Sequence, residues 1–422
     1  MSFDFENLRR ITEWQWLLLL APALLFDTTR YYLTNFLYSL FSLFQFFLPK
    51  KKDRRGTSSD SPMVSILLPV YNEGPDLREV LDSILGNLYP NFELLVIDDA
   101  SSDETRGLCL DYQARGKLRY FRKRIRGSKP SSLNYGLFFA RGDYVLHLDG
   151  DTRLERSAIL EMMKAVQDPR VGGVAGNLFA RNARQNLTTL LQSAEFAMTI
   201  NAQRRWLAPM DLLQIASGAF SLFKKKIMVR SRGVDPEYGE DLDITIKARK
   251  MGARIAFAPD AIAETALPPT MGGLFRQRLR WDRCYVRLNL RKHGNLINLL
   301  RFRLGDFVCM VLDFFFNLVL LLFFPVYLVW VEIKIPGSMP FILVVTYLFY
   351  TLVIFTQITI SFFLSPKKHR EWRWFLTVPV YFLYSLYLRI IRASAYLLEA
   401  FRSKRGSSRF FPDYVRSQIP RY

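Results

Sequence analysis

No charged side chain interrupts the chain between Met339 and Leu364, and about 20 apolar residues are enough to cross a bilayer as a helix. This stretch constrains the fold more than any other. Phe307 to Val331 is a second long apolar run, interrupted by Asp313, and joined to the first by a short loop holding Pro336-Gly337. The two read as an out-and-back pair, each long enough to cross with some tilt. Basic Pro366 to Arg373 follows at once, which puts that end on the cytosolic side.

The same pattern recurs at the N-terminus. Trp14 to Phe26 and Tyr31 to Leu48 are almost wholly apolar, and Lys50 to Arg55 closes them with positive charge. The second is long enough to span; the first is a short span, an interfacial helix or half of a hairpin. A basic start and an Ala-x-Ala cleavage site are lacking, so the segment reads as retained rather than as a removed signal peptide. Near the other end, Phe375 to Ile391 is apolar enough to cross, but the tail from Arg392 to Tyr422 carries seven Lys or Arg against two acids. An interfacial or re-entrant hairpin, kinked at Pro379 and continuing to Phe401, keeps that tail cytosolic; a third crossing is the alternative.

Composition agrees with this segregation. Half of the 422 residues are hydrophobic, yet 58 Lys and Arg face 38 Asp and Glu, a net charge of +20. Much of the excess sits beside apolar runs, at Lys50 to Lys52, Lys367 to Arg370 and Lys404-Arg405, so the charge points to membrane lipid and not to nucleic acid. Cys109, Cys284 and Cys309 are too far apart in sequence to form a disulfide framework or a zinc site. No internal repeat is evident. Four units follow: an N-terminal membrane segment (1–55), a cytosolic catalytic domain (56–300), a C-terminal transmembrane region (301–401) and a basic tail (402–422).

The middle unit has α/β rhythm. Val64 to Val70 reads as a buried strand, Asp76 to Leu88 has helical spacing, and Phe92 to Ile97 is a second strand running into Asp98-Asp99. A helix from Glu104, a strand near Lys117 to Arg122, a helix from Ser131 to Ala140 and the strand Tyr144 to Leu148 extend the alternation. Such a sheet is parallel and doubly wound, with ligands beyond the carboxyl ends of its strands. Helices at Leu187 to Trp206 and Gly273 to Arg291 mix apolar and basic positions, as interfacial helices do.

Four polar signatures occur in order. The first is Pro69 to Glu73 with Asp98 to Ser101. Asp99, at a strand end, suits a base imide or ribose hydroxyl, although Asn, Asp and Ser are also ordinary turn formers. The second is Asp149-Gly150-Asp151, whose carboxylates face one side of extended backbone and suit a cation that also holds a diphosphate; an isolated Asp-Gly would instead mark a hairpin turn. The third is Asp235 to Asp243, five acids in nine residues, opening a helix over Ile244 to Met251. The helix dipole accounts for some of them, and Asp241, next to Glu240, suits a general base. The fourth is Gln277 to Trp281, where Gln277, Arg280 and Trp281 share a helix face. That face offers a guanidinium for a leaving diphosphate and an indole for stacking a sugar ring. Lipid headgroups are the other reading, and they account well for Arg276, Arg278 and Arg283.

Together these motifs resemble the membrane-bound family 2 glycosyltransferases, the group of cellulose, chitin, hyaluronan and poly-N-acetylglucosamine synthases, over roughly residues 60 to 300. The resemblance implies an α/β fold of the GT-A type with a mostly parallel sheet, and Mg²⁺ or Mn²⁺ as cofactor. It makes Asp99, Lys129, Asp149 and Arg280 donor-binding, Asp149 and Asp151 metal ligands, Glu240 and Asp241 catalytic with Asp241 the base, and Gln277, Trp281, Ser217 and Gly218 acceptor-binding. Departures exist. Gly239 precedes Glu240 where cellulose synthases have Thr, Lys224 to Lys226 replaces an arginine pattern, and the tail lacks the Asp-x-Ser-x-x-Gly signal of a cyclic-di-GMP-binding domain.

One base and no evident second nucleophile describe an inverting transfer. The expected enzyme is a multi-pass integral membrane hexosyltransferase that takes UDP-GlcNAc or UDP-glucose at the cytosolic face and elongates a β-linked polysaccharide, with export subunits as possible partners. Asp313 and Asn317, polar positions within an apolar span, favour a polymer path. A glycolipid product is the alternative, and an inactive donor-binding scaffold a third reading.

Overall fold

A computed structural model describes residues 61–237, 239–297, 319–367 and 371–401, with isolated positions between 304 and 315. Both N-terminal apolar segments, Asp313, Asn317 and the tail beyond 401 lie outside the described residues.

The first half follows the alternation. Strand β1 (Val64–Val70) leads through helix α1 (Asp76–Leu85) to β2 (Phe92–Asp98), then through α2 (Thr105–Ala114) to β3 (Arg119–Arg122), and through α3 (Lys129–Phe139) to β4 (Tyr144–Leu148). These four strands pair in parallel in the order β3-β2-β1-β4. Continuous apolar runs such as Val64 to Leu68, none of them exposed, belong to a sheet covered on both faces. Helix α1 shows why it folds as it does: Leu77, Val80, Leu81 and Ile84 recur at helical spacing and are all buried.

Beyond β4 the sheet departs from the parallel expectation. After the short β5 (Arg153–Leu154) and α4 (Ala158–Ala165) come β6 (Val171–Ala180) and a long helical excursion, α5 (Leu187–Phe196), a π-helical turn Ala197–Ala202 and α6 (Arg204–Leu207). Strand β7 (Phe220–Lys224) then runs antiparallel between β4 and β6, and β8 (Arg254–Thr265) pairs with β6 in parallel and with β5 antiparallel. The sheet of eight strands is mixed, in the order β3-β2-β1-β4-β7-β6-β8-β5. Strand β6, sequence VGGVAGNLFA, gives little strand signal because glycine is a weak strand former. Packing supplies the reason for it: a Cβ on Gly173 would lie 2.7 Å from the Phe223 ring, and one on Gly176 would overlap Phe220. The glycines make room for the aromatics of β7.

Helices α7 (Lys225–Arg230) and α8 (Glu240–Lys250) lie between β7 and β8. Helix α9 (Met271–Tyr285) continues as a second π-helical turn, Val286–Lys292. After it, α10 (Leu320–Lys334) and α11 (Met339–Leu364) form a helical hairpin, in which the Glu332 carboxylate accepts the amides of Gly337 and Met339 and so caps the entry to α11. A 3₁₀ turn, Trp372–Thr377, then feeds α12 (Val378–Phe401). Among the described residues, Met339–Leu364 and Trp372–Glu399 are long and apolar enough to cross a membrane.

Polar contacts tie α12 along α9. Tyr384 donates to Glu195, which also pairs with Arg278 at 2.8 Å; Arg392 pairs with Asp282 at 3.1 Å. At its end the buried Glu399 meets Arg283 at 3.0 Å, Arg287 at 3.0 Å and Arg291 at 3.5 Å. Arg278 and Arg283, read from sequence as headgroup contacts, are therefore engaged inside the protein. Lys367 pins the end of α11 to the sheet, 2.5 Å from Glu264 and 2.6 Å from Glu155.

Candidate active site

The carboxyl ends of β1, β2, β4 and β8 and the entry to the antiparallel β7 open on one rim of the sheet. The loops there are laced together. Asn72, at φ +54°, accepts the Ser102 amide at 2.9 Å and donates its own amide to Ser101 Oγ, while Asp98 accepts the Ser101 amide at 2.7 Å and the Tyr120 hydroxyl at 2.5 Å. Asp98 and Asn72 thus hold the rim in shape.

Asp99 is buried. Its carboxylate accepts from Lys123 Nζ at 2.5 Å and from the amides of Gly127 and Ser128 at 2.8 and 2.7 Å. These contacts hold Ser128 at φ +86°, ψ 163°, a backbone region that glycine alone enters freely. The residue expected at the nucleotide base therefore also fixes the loop that delivers Lys129.

Lys129, at the start of α3, joins three segments. Its Nζ lies 2.5 Å from Asp149 and 3.1 Å from Glu240, and donates to the Gly218 carbonyl at 3.3 Å. Burial opposes its charge, but Asp149 and Glu240 outweigh that and hold the ammonium above its ordinary range.

Asp149 and Asp151 flank Gly150 beyond β4, and Glu73 closes on the same glycine, where an added Cβ would come 2.7 Å from Glu73 Oε1. Burial, then Asp151 and Asp149, push Glu73 up to about 7. Asp151 is likewise raised, by burial and then Asp149, while Thr152 and Thr265 hydroxyls reach it at 3.2 and 3.3 Å. Glu73 and Asp151, both raised by burial and by neighbouring carboxylates, lie beside Asp149 and offer oxygen ligands of the kind a hard divalent cation takes. Glu73 has no role assigned in the sequence reading, although it closes the first motif. Its signal was available: it follows β1 as Asp99 follows β2.

Another acidic group, Asp235, Glu237 and Asp243, also clusters closely. A cation is already supplied there by the chain itself: Lys292 pairs with Asp235 at 2.5 Å, Asp243 at 2.8 Å and Glu237, while Lys247 and His293 each reach Asp243 at 2.8 Å. Three of the five acids in the third motif are thus neutralised structurally. The other two, Glu240 and Asp241, face the rim.

Asp241 lies in the first turn of α8, which begins at Glu240 rather than at Ile244. Its carboxylate accepts the Gly218 amide at 3.0 Å and the Leu242 amide at 2.9 Å. Burial and Glu240 raise its pKa, opposed by the Gly218 amide and Lys129. Gly239 caps the helix at φ +77°, and a Cβ there would stand 2.9 Å from Leu288 and 3.0 Å from Cys284 Cβ. Threonine at this place would strain the turn and strike the helix that carries the fourth motif. Ser217 and Gly218 lie in the turn before β7, Ser217 Oγ accepting from Arg204 at 2.8 Å.

On α9, Trp281 is 42% exposed, with the Arg278 guanidinium 4.4 Å from its ring centre on one face. Gln277 Oε1 is buried without a hydrogen-bond partner among the described residues. Arg280 sits one turn before Cys284, whose Sγ contacts its carbonyl at 3.0 Å. Lys129, Asp149, Glu240, Asp241 and Gly218 thus come together directly, Asp151 through the shared glycine, and Asp99 through the loop. Arg204, Lys123 and Thr265 join them; no local motif marks these three.

Residues 65–230 match the family model described as Glycosyl transferase family 2. The chain is 30% identical over 247 residues to the poly-beta-1,6-N-acetyl-D-glucosamine synthase of Staphylococcus epidermidis, covering 57% of this chain and 60% of that protein. It is 31% identical over 220 residues to the synthase of the same name from Staphylococcus aureus, covering 52% and 53%. The matched region therefore spans 60% or less of the length of these relatives. Among solved structures, the mannosyltransferase PcManGT from Pyrobaculum calidifontis, in complex with GDP-Man and Mn²⁺, superposes with a TM-score of 0.56 at 20% identity, over 92% of this chain and 100% of that one.

Proposed function

From the match of residues 65–230 to the glycosyl transferase family 2 model and the likeness to poly-beta-1,6-N-acetyl-D-glucosamine synthases, we propose that this chain is an inverting, membrane-embedded synthase that moves N-acetylglucosamine from UDP-GlcNAc onto a growing β-linked polymer, of the β-1,6 kind named for its relatives. One observation carries the reading: a single ammonium, Lys129, joins the donor carboxylate Asp149 to Glu240 beside the candidate base and to the turn at Gly218. Donor and acceptor machinery are thereby contiguous.

In the proposed reaction Asp241 takes the proton from an acceptor hydroxyl, whose oxygen bonds to the anomeric carbon while the bond from that carbon to the diphosphate breaks. UDP leaves and the configuration inverts. A raised pKa suits Asp241 to this work. Asp99 and its loop set the nucleotide end and present Lys129 to the diphosphate. Asp149, Asp151 and Glu73 would hold Mg²⁺ or Mn²⁺, which neutralises developing charge on the leaving diphosphate. Arg280 adds positive charge on that side, and Gln277 and Trp281 receive the acceptor sugar. The apolar hairpin α10–α11 seats the enzyme in the bilayer, with α12 lying along α9 at its surface.

Membranes holding the full chain, incubated with labelled UDP-GlcNAc and separately UDP-glucose with and without Mg²⁺, test this directly. A ladder of long β-linked chains from UDP-GlcNAc is expected; a single glycolipid product would overturn the polymer reading.

A further inference from the structure

Arg204 is 6% exposed, yet it forms no ion pair among the described residues. Its hydrogen bond runs from Nη2 to Ser217 Oγ at 2.8 Å, and its Nη1 is buried with no hydrogen-bond partner among the described residues. Burial lowers its pKa to about 10, which leaves it charged at neutral pH, and among the site's carboxylates Asp241 is the one that supports the charge. A buried guanidinium with unmet donors is costly, because the desolvation of each orphaned N–H goes uncompensated. Such a group persists where a ligand completes it.

Its position says which ligand. Arg204 follows the π-helical turn Ala197–Ala202, a distortion that re-aims the side chains beyond it and is frequent at functional sites. The side chain reaches the turn whose Gly218 amide holds Asp241. Lys129 reaches the same turn through the Gly218 carbonyl, but Asp149 and Glu240 hold it most strongly, so it spans both sides. Arg204 is engaged at the acceptor turn beside Asp241. A neutral sugar hydroxyl, which can accept from Nη1 while giving its own proton to a base, fits an unmet N–H beside Asp241.

We propose that Arg204 is an acceptor-specificity residue: Nη2 fixes the Ser217–Gly218 turn beneath Asp241, and Nη1 donates to a hydroxyl of the incoming acceptor sugar. This rests on the glycosyl-transfer reading above. The test compares R204M, R204K and S217A in the full-length chain, purified in detergent, with UDP-GlcNAc and short β-1,6-linked N-acetylglucosamine oligomers as substrates. Initial rates give KM for each substrate, and free sugar against extended oligomer gives the share of donor lost to water.

R204M is expected to raise the oligomer KM tenfold or more and to increase the hydrolysed share, with the KM for UDP-GlcNAc within twofold of wild type. R204K, which keeps one donor and the charge, recovers part of the loss, and S217A shows a smaller rise in oligomer KM. UDP binding by calorimetry reports folding. If R204M fails that check, R204K and S217A decide: raised oligomer KM in both supports the role, and wild-type values in both overturn it. A folded R204M with unchanged oligomer KM and hydrolysis also overturns it. A wild type that transfers no sugar would instead sink the underlying reading.

Discussion

Glu73 shows how one side chain can make a site answer to pH. Its carboxyl is pushed up to about 7 by burial and by Asp151 and Asp149. A cation binds the ionised form, so protons compete below pH 7 and cease to compete above it. Mn²⁺ affinity, followed by titration at pH 6 and pH 8, should fall toward low pH by up to about tenfold per unit, and E73Q should weaken binding and flatten that dependence. A wild-type affinity that is the same at both pH values would refute the assignment. Asp241→Asn should cut transfer by roughly 10²-fold or more while UDP binding survives, since the amide cannot take the acceptor proton. Gly239→Thr should lower thermal stability by about 1–3 kcal/mol of backbone strain, with added cost from the contact at Cys284, read in a melting curve.

Elements carry the next level. Helix α12 holds α9 through Glu399, which neutralises three arginines spaced along one face of the Arg283 to Arg291 segment. Removing the one carboxylate leaves three partly buried like charges together, and E399Q should cost roughly 1–3 kcal/mol and lower activity by shifting the face that bears Trp281; unchanged melting would contradict this. At this scale the sequence was legible wherever period and composition agreed. The βαβ half from Val64 to Leu148 could be read because buried parallel strands are continuous apolar runs. Strand β6 could not, since its glycines are chosen for the rings of Phe220 and Phe223 across the sheet. The same distinction separates site residues. Asp149, Asp151, Glu240 and Asp241 announce themselves as clustered acids, whereas Arg204 sits among ordinary basic residues and gains meaning from a turn 13 positions away. The acid-rich third motif hid a different division, because the neutralising Lys292 lies 57 residues from Asp235.

At the scale of the whole molecule, a catalytic sheet is seated on apolar helices by charged pins, Lys367 on the sheet edge and Glu399 on α9. The chain should remain with the membrane fraction after an alkaline carbonate wash, and its release into the supernatant would contradict an embedded hairpin. The ammonium of Lys129 has a consequence at this level too. It is shared among Asp149, Glu240 and the Gly218 carbonyl, so a diphosphate that draws it away from one oxygen loosens it from all three. Under the proposed polymerising function, arrival of the next donor would be felt at the acceptor turn before any bond is made, and departure of UDP would restore the grip. The lysine would then keep time for the two halves of the site.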